Sequence, residues 1–257
     1  QQETAILSNG KLSLGIFTGQ NYKQIAELKL PASYNFVAID SFDLNKNGRP
    51  EIFISGLRDN KPQSLVLEIE NGQFTEIAQK VPMLFRVIEQ PGQGQILVGQ
   101  KRRQFDIPFD QRPFKVVLVN GEYKEGDSYP LPTPINIYGF TPFNSKDGEQ
   151  YFAYLTADDY LKIKTADGSE IYESSDRYGG NETSFDLLSL DTTESSLPYY
   201  IPLRMLYMDG RLLVPQNSGS RLTKRLTTYK KGHIKALEWN GMSTNEAWWT
   251  AEQEGPI

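Results

Sequence analysis

The chain has 257 residues, with 27 Lys and Arg against 32 Asp and Glu, one His and no Cys. That length can bury a substantial core, and the net charge of −5 argues against a protein that binds nucleic-acid phosphates. The absence of Cys and the single His remove thiol catalysis, Cys-based zinc sites and most His-rich metal centres, and no stretch approaches the roughly 18 unbroken apolar residues of a membrane-spanning helix.

In chain order, the sequence begins at Gln1 without an initiator Met or a recognisable secretion signal, so it reads as a processed or trimmed piece. Short apolar segments closed by turn dipeptides then follow one another, the pattern of an all-β protein. Hairpins are predicted at Leu12 to Phe17 and Tyr22 to Leu28 around Gly19, and at Leu65 to Ile69 and Phe74 to Ala78 around Asn71-Gly72. Three more are marked by Asn120-Gly121, Asp167-Gly168 and Asn240-Gly241, dipeptides that supply the positive φ of two-residue turns. The turn glycines 19, 72, 121 and 168 are separated by 53, 49 and 47 residues, with 73 more to Gly241.

A second series runs in phase with the first. Phe36 to Ile39 leads through Gly48 to Ile52–Ile54, and Leu84 to Ile88 through Gly94 to Ile96–Val98. Ile135 to Phe140 leads through Gly148 to Tyr151–Ala153, and Ile201 to Leu206 through Gly210 to Leu212–Val214. Two hairpins make a four-stranded sheet, and such a sheet recurring about every 50 residues is the pattern of a β-propeller blade, which must stack on neighbours to cover its faces. The expectation is one propeller domain over 1–257, with four full blades and an N-terminal half blade, most simply a five-bladed ring. The half blade would be completed by strands before Gln1 or after Ile257, with Gly255-Pro256-Ile257 as a candidate start. The polar stretch Ser175 to Pro198 is read as a loop inserted between blades.

The most specific local motif is Asp43-Leu44-Asn45-Lys46-Asn47-Gly48-Arg49-Pro50-Glu51. Oxygen-bearing side chains alternate in a tight loop that Gly48 lets bend, the arrangement a hard cation such as Ca²⁺ needs. The predicted ligands are the side chains of Asp43, Asn45, Asn47 and Glu51 and the carbonyl of Arg49. The competing reading is that Asn and Asp simply hydrogen-bond the turn backbone. Phe36-Val37-Ala38-Ile39-Asp40, this loop and Ile52-Phe53-Ile54 together resemble the FG-GAP or VCBS repeat of integrin α-subunit propellers and many secreted bacterial proteins. The resemblance implies a structural Ca²⁺ between the first two strands of a blade. It is confined to this blade, because Glu89 to Gly94, Asn144 to Gly148 and Met208-Asp209-Gly210 keep the turn and lose the ligand pattern. Ser174 to Thr183 and Trp239 to Met242 also look like segments of bacterial envelope proteins with such repeats. The location so implied is extracellular, periplasmic or in the outer envelope.

Other features weigh less. Arg177, Tyr178, Asn181 and Glu182 flank the Gly179-Gly180 pair and could contact a partner, or could belong to a structured crossover. Asp158-Asp159 reads as a turn, since adjacent strand residues face opposite ways and cannot converge as paired acids. His233 has no catalytic companions, and Gly92-Gln93-Gly94 lacks the rest of a dinucleotide fingerprint. Lys101-Arg102-Arg103 and the Arg221, Lys224, Arg225, Lys230, Lys231 group read as solvated edges. Trp239, Trp248 and Trp249 read as core or interblade packing. The functional expectation is a non-catalytic scaffold that binds a protein or glycan through its blade loops, in an oligomeric state left open. A structural envelope subunit completed by another chain is the second reading, and a propeller-type glycosidase or lyase the third.

Overall fold

The computed structural model describes residues 3–145, 147–189, 196–223 and 226–257, with the side chains of 220–227 also outside the description. Five small antiparallel sheets form the ring of a five-bladed β-propeller, and no helix occurs among the described residues. Blade 1 comprises Glu3–Ser8, Lys11–Thr18 and Asn21–Lys29. Blade 2 comprises Asn35–Phe42, Glu51–Arg58, Ser64–Glu70 and Gln73–Val81, with the short Lys61–Pro62 strand against its second member. Blade 3 comprises Leu84–Gln90, Gly94–Gln100, Phe114–Val119 and Glu122–Ser128. Blade 4 comprises Phe140–Asn144, Gln150–Leu155, Tyr160–Thr165 and Glu170–Arg177. Blade 5 comprises Leu206–Met208, Arg211–Thr223, Leu226–Trp239 and Thr244–Trp249.

Burial follows each strand's place in its blade. The first strands of blades 2 to 5 contact one another in succession and so line the hub. The second strand of blade 2 is buried at every residue from Glu51 to Leu57, because sheets cover both its faces. The outermost strand, Gln73–Val81, is mostly exposed. Four apolar clusters join successive blades. Leu12 and Leu30 of blade 1 meet Ile52 and Ile54 of blade 2, and Phe53 of blade 2 meets Phe85 and Phe114 of blade 3. Leu84 and Val98 meet Phe140 and Phe152 of blade 4, and Phe143 and Ile163 of blade 4 meet Leu212 and Leu237 of blade 5. Two buried serines stitch blade 2 to blade 3. Ser55 Oγ accepts from Phe85 N at 2.7 Å, and Ser64 Oγ donates to the Met83 carbonyl at 2.6 Å.

Asn71-Gly72 and Asn120-Gly121 take positive φ at both residues, as two-residue turns require. Asp167-Gly168 and Asn240-Gly241 do so only at the glycine. The turn at Asp167 runs from Thr165 to Ser169, with Gly168 N on the Thr165 carbonyl and Thr165 N on the Ser169 carbonyl, and that at Asn240 is closed by Asn240 N on the Ser243 carbonyl. The first is one residue wider than the two-residue reading, and the second is centred one residue later, on Gly241-Met242.

Several expectations need correction. Blade 1 has three strands, since Glu3–Ser8 pairs along its whole length with Lys11–Ile16; its alternation is too exposed to stand out in the sequence. The innermost strand found in the other blades has no counterpart in blade 1 among the described residues. Gly255-Pro256-Ile257 does not begin a strand for blade 1. Gln253–Glu254 pairs with blade 5, and Ile257 N donates to Asn217 Oδ1 of the same blade. Ile135 to Gly139 and Ile201 to Met205 are connectors to the innermost strands, not parts of them, the first largely buried and the second anchored by buried Ile201 and Met205. Within 175–198, the fourth strand of blade 4 runs to Arg177 and Ser184–Leu187 pairs with Leu197–Tyr200 as a two-stranded ribbon; residues 190–195 lie outside the description.

Candidate functional site

The Asp43 to Glu51 loop connects the first two strands of blade 2, where the sequence placed it. Glu51 is fully buried, and its carboxylate accepts Leu44 N at 2.8 Å and Asn45 N at 3.3 Å. Asp43 accepts Asn47 N at 3.1 Å and Gly48 N at 2.9 Å through its two oxygens. Asn45 Oδ1 accepts Asn47 N at 2.9 Å, and Asn47 Oδ1 accepts Arg49 N at 2.7 Å. The Arg49 side chain turns away to Glu68 at 3.2 Å and Glu70 at 3.6 Å. Burial raises the Glu51 pKa, against the pull of those N–H groups. Each predicted side-chain ligand oxygen thus already holds a backbone N–H. A carboxylate or amide oxygen has further lone pairs, so the donor set fits a hard cation in kind while the turn keeps its shape by hydrogen bonding alone. No group of three or more His, Cys, Asp or Glu with metal-holding geometry occurs among the described residues.

The Arg177, Tyr178, Asn181 and Glu182 group is tied into the molecule. Tyr178 is only 6% exposed and belongs to the core between blades 4 and 5. Arg177 lies over the Tyr160 ring at 5.4 Å, Asn181 Nδ2 donates to the Ile201 carbonyl, and Glu182 accepts Tyr229 N. Gly180, at φ +86°, lies where a Cβ would come within 2.6 Å of the Tyr229 ring, so the glycine pair serves close internal packing. These contacts make a structured crossover. Trp248 and Trp249 differ from expectation as well: they lie on the outermost strand of blade 5 and are exposed, while Trp239 packs edge-on to Tyr151 and Tyr172. Lys224 and Arg225 lie outside the described residues, as does the side chain of Arg221.

A concave site that no sequence motif announced lies between blades 3 and 4, with a volume of about 630 Å³. Its walls come from the connector between the second and third strands of blade 3, the segment before blade 4, and the ribbon. Half-buried Phe109 and Tyr199 meet edge to face at 6.1 Å. Asn136 Nδ2 donates to Tyr199 Oη at 2.9 Å, and burial pushes that phenol up to about 12. On the opposite wall Lys162 bridges Glu170 at 2.8 Å and Glu173 at 3.1 Å, and Tyr154 donates to Glu170 at 3.2 Å. The hydrogen bond and charge of Lys162 hold the Glu170 carboxyl below its ordinary range.

Arg102 stands behind the Phe109 and Tyr199 wall, stacked on Phe185, which packs against both rings. It is 4% exposed, not a solvated edge as the basic run suggested. Its guanidinium donates to Asn60 Oδ1 at 2.7 Å, the Phe105 carbonyl at 2.6 Å and the Asp186 carbonyl at 3.0 Å, and stacks 4.5 Å from the Phe185 ring. Blade 2, the blade 3 connector and the ribbon are thereby held together, and burial lowers its pKa to about 10. Asp110 accepts Arg103 N at 2.8 Å and Gln104 N at 2.9 Å, folding the connector back on itself.

No family model and no curated protein sequence matches the chain. Among solved structures it is similar to the PQQ-bound aldose sugar dehydrogenase of Streptomyces coelicolor, at 9% identity over 98% of this chain and 77% of that one, with a TM-score of 0.43. That identity is too low for the cofactor or substrate of that protein to pass to this chain.

Proposed function

We propose that this propeller is a non-catalytic binding scaffold that takes a glycan in the cleft between blades 3 and 4, with Ca²⁺ held as a structural ion by Asp43, Asn45, Asn47 and Glu51. The observation that carries the reading is the pairing of half-buried Phe109 and Tyr199 with planar polar groups in one concavity of ligand size. Aromatic faces suit the apolar faces of sugar rings, and fixed amides and carboxylates suit their hydroxyls. The state of the acids favours binding over hydrolysis. A glycosidase needs one carboxyl held protonated opposite a second, whereas Glu170 is ion-paired with a lowered pKa and Asp110 caps a backbone turn. A place outside the cell or in its envelope goes with this proposal and rests on the repeat resemblance.

The test is a glycan array probed with the wild type and with Phe109→Ala. Selective binding by the wild type, weakened at least tenfold in the variant, is the expected result. Absence of any selective glycan, or equal binding by a variant that folds, overturns the glycan reading. Cleavage of a bound glycan during the assay overturns the non-catalytic one.

A further inference from the structure

Four polar side chains, each brought by a different blade, converge on the hub. Asp40 sits on the innermost strand of blade 2 and Arg86 on that of blade 3. Tyr138 lies on the connector into blade 4, and Arg204 on the connector into blade 5. Asp40, Arg86 and Tyr138 are 6%, 5% and 3% exposed. Arg204 Nη2 donates to Asp40 Oδ1, and its side chain is 43% exposed, so the cluster opens to solvent along that residue.

The hydrogen bonding of the cluster is incomplete. Arg86 Nε, Tyr138 Oη and Asp40 Oδ2 are all buried without a partner among the described residues. Ser55 adjoins the phenol, but its hydroxyl accepts from Phe85 N at 2.7 Å and donates to Phe85 O at 3.1 Å, so it has no proton left for Tyr138 Oη and makes no well-formed hydrogen bond to it. A buried polar group left unpaired is costly, and more so when it is charged, and two of these three are donors that an acceptor in the hub would relieve. Two guanidinium groups face a single carboxylate, leaving the hub one positive charge in excess. Burial first, and then the repulsion of Arg204, lower the Arg86 pKa to about 10 against the attraction of Asp40.

We propose that the hub binds a small inorganic anion, a halide or an oxyanion, which accepts from Arg86 Nε and Tyr138 Oη with Arg204 at its entrance, and so pins blades 2, 3, 4 and 5 to one another. The excess positive charge selects an anion over a cation, and the unmade N–H and O–H donors give it directed bonds. A neutral water could satisfy the donors but would leave the charge uncompensated. The Tyr138 ring also lines the cleft, 6.1 Å from that of Phe109, but the hub site does not depend on the glycan reading.

The probes are chloride, bromide and inorganic phosphate, titrated at constant ionic strength while melting temperature is followed. Wild type, Tyr138→Phe and Arg86→Met are compared. The wild type is expected to be stabilised saturably by at least one of the three. Tyr138→Phe, which keeps the ring, should weaken that apparent affinity about tenfold, the worth of one hydrogen bond to a charged group. Arg86→Met should abolish the response. Bromide-soaked crystals of the wild type give a readout independent of whether Arg86→Met folds: an anomalous peak within hydrogen-bond reach of Arg86 Nε is expected if a halide is bound, and phosphate-grown crystals should show tetrahedral density if an oxyanion is. Ordered water alone in the hub under all three salts, or identical salt responses in the wild type and Tyr138→Phe, overturns the proposal.

Discussion

Asp40 and Glu51 are buried carboxyls whose pKa values burial raises, Asp40 despite the pull of Arg204 and Arg86 and Glu51 despite backbone N–H groups. A raised acid has a definite sign in the pH dependence of stability. The folded state then binds more protons than the unfolded chain across the interval between the two pKa values, so stability declines as pH rises through that interval from the ordinary value of 3.8 for Asp or 4.5 for Glu. Surface acids such as Glu170, with lowered values, act in the opposite sense, so the total profile mixes the two. Asp40→Asn isolates one contribution. Its stability relative to the wild type should improve from about pH 4 up to the raised pKa of folded Asp40 and stay level above it, measured as the difference in urea midpoints at matched pH. A difference that is flat throughout or falls with pH would show that Asp40 titrates normally in the folded protein.

The loop between the first two strands of blade 2 illustrates what local sequence can and cannot specify. Its position and its oxygen spacing were legible, because a turn chemistry rich in Asn, Asp and Gly is written within nine residues. Whether those oxygens serve the backbone or an ion was not legible, because both uses demand the same residue types. If the loop holds Ca²⁺, calcium at a hundredfold excess over its Kd should stabilise the fold by about 2.7 kcal/mol, a rise of roughly 5–10 °C in Tm for a domain of this size. EDTA should remove the gain, Asp43→Ala should abolish it, and Asn45→Asp should enlarge it by adding a negative charge. An identical Tm in calcium and in EDTA would leave the turn with its hydrogen bonds as its whole purpose. The blade 3 connector makes the reverse point. No motif marks residues 101–113, yet Arg102 fastens them between blade 2 and the ribbon. A basic triplet is normally solvated, and only the tertiary arrangement supplies the carbonyls that let one of its members be buried.

Around the ring, the near-constant spacing of Gly19, Gly72, Gly121 and Gly168 carried the blade repeat, since a turn that needs positive φ recurs once per sheet. The hub and the cleft had no such signal. Their residues are contributed singly by segments far apart in the chain and meet only because the blades stack. The same stacking distributes stability unevenly. The central apolar cluster ties blades 2, 3 and 4 to the ribbon through Val37, Leu84, Phe140 and Phe185. Blade 1 joins through Leu12 and Leu30, the two buried residues it brings to the cluster shared with blade 2, and its first and third strands are mostly exposed or half-buried. Regions with few buried apolar contacts open at lower free energy than the core. In native-state hydrogen exchange, the amides of Glu3–Ser8 and Asn21–Lys29 should therefore exchange well before those of Glu51–Arg58 and Gln150–Leu155, in a sub-global opening that leaves blades 2 to 4 protected. The cause is the narrow anchorage, Leu12 and Leu30 buried in the shared cluster with only partly buried Ala5, Leu7 and Leu28 beside them. Uniform protection across all five blades would mean instead that the ring opens only as one cooperative unit, with blade 1 coupled to the hub more tightly than its buried surface accounts for.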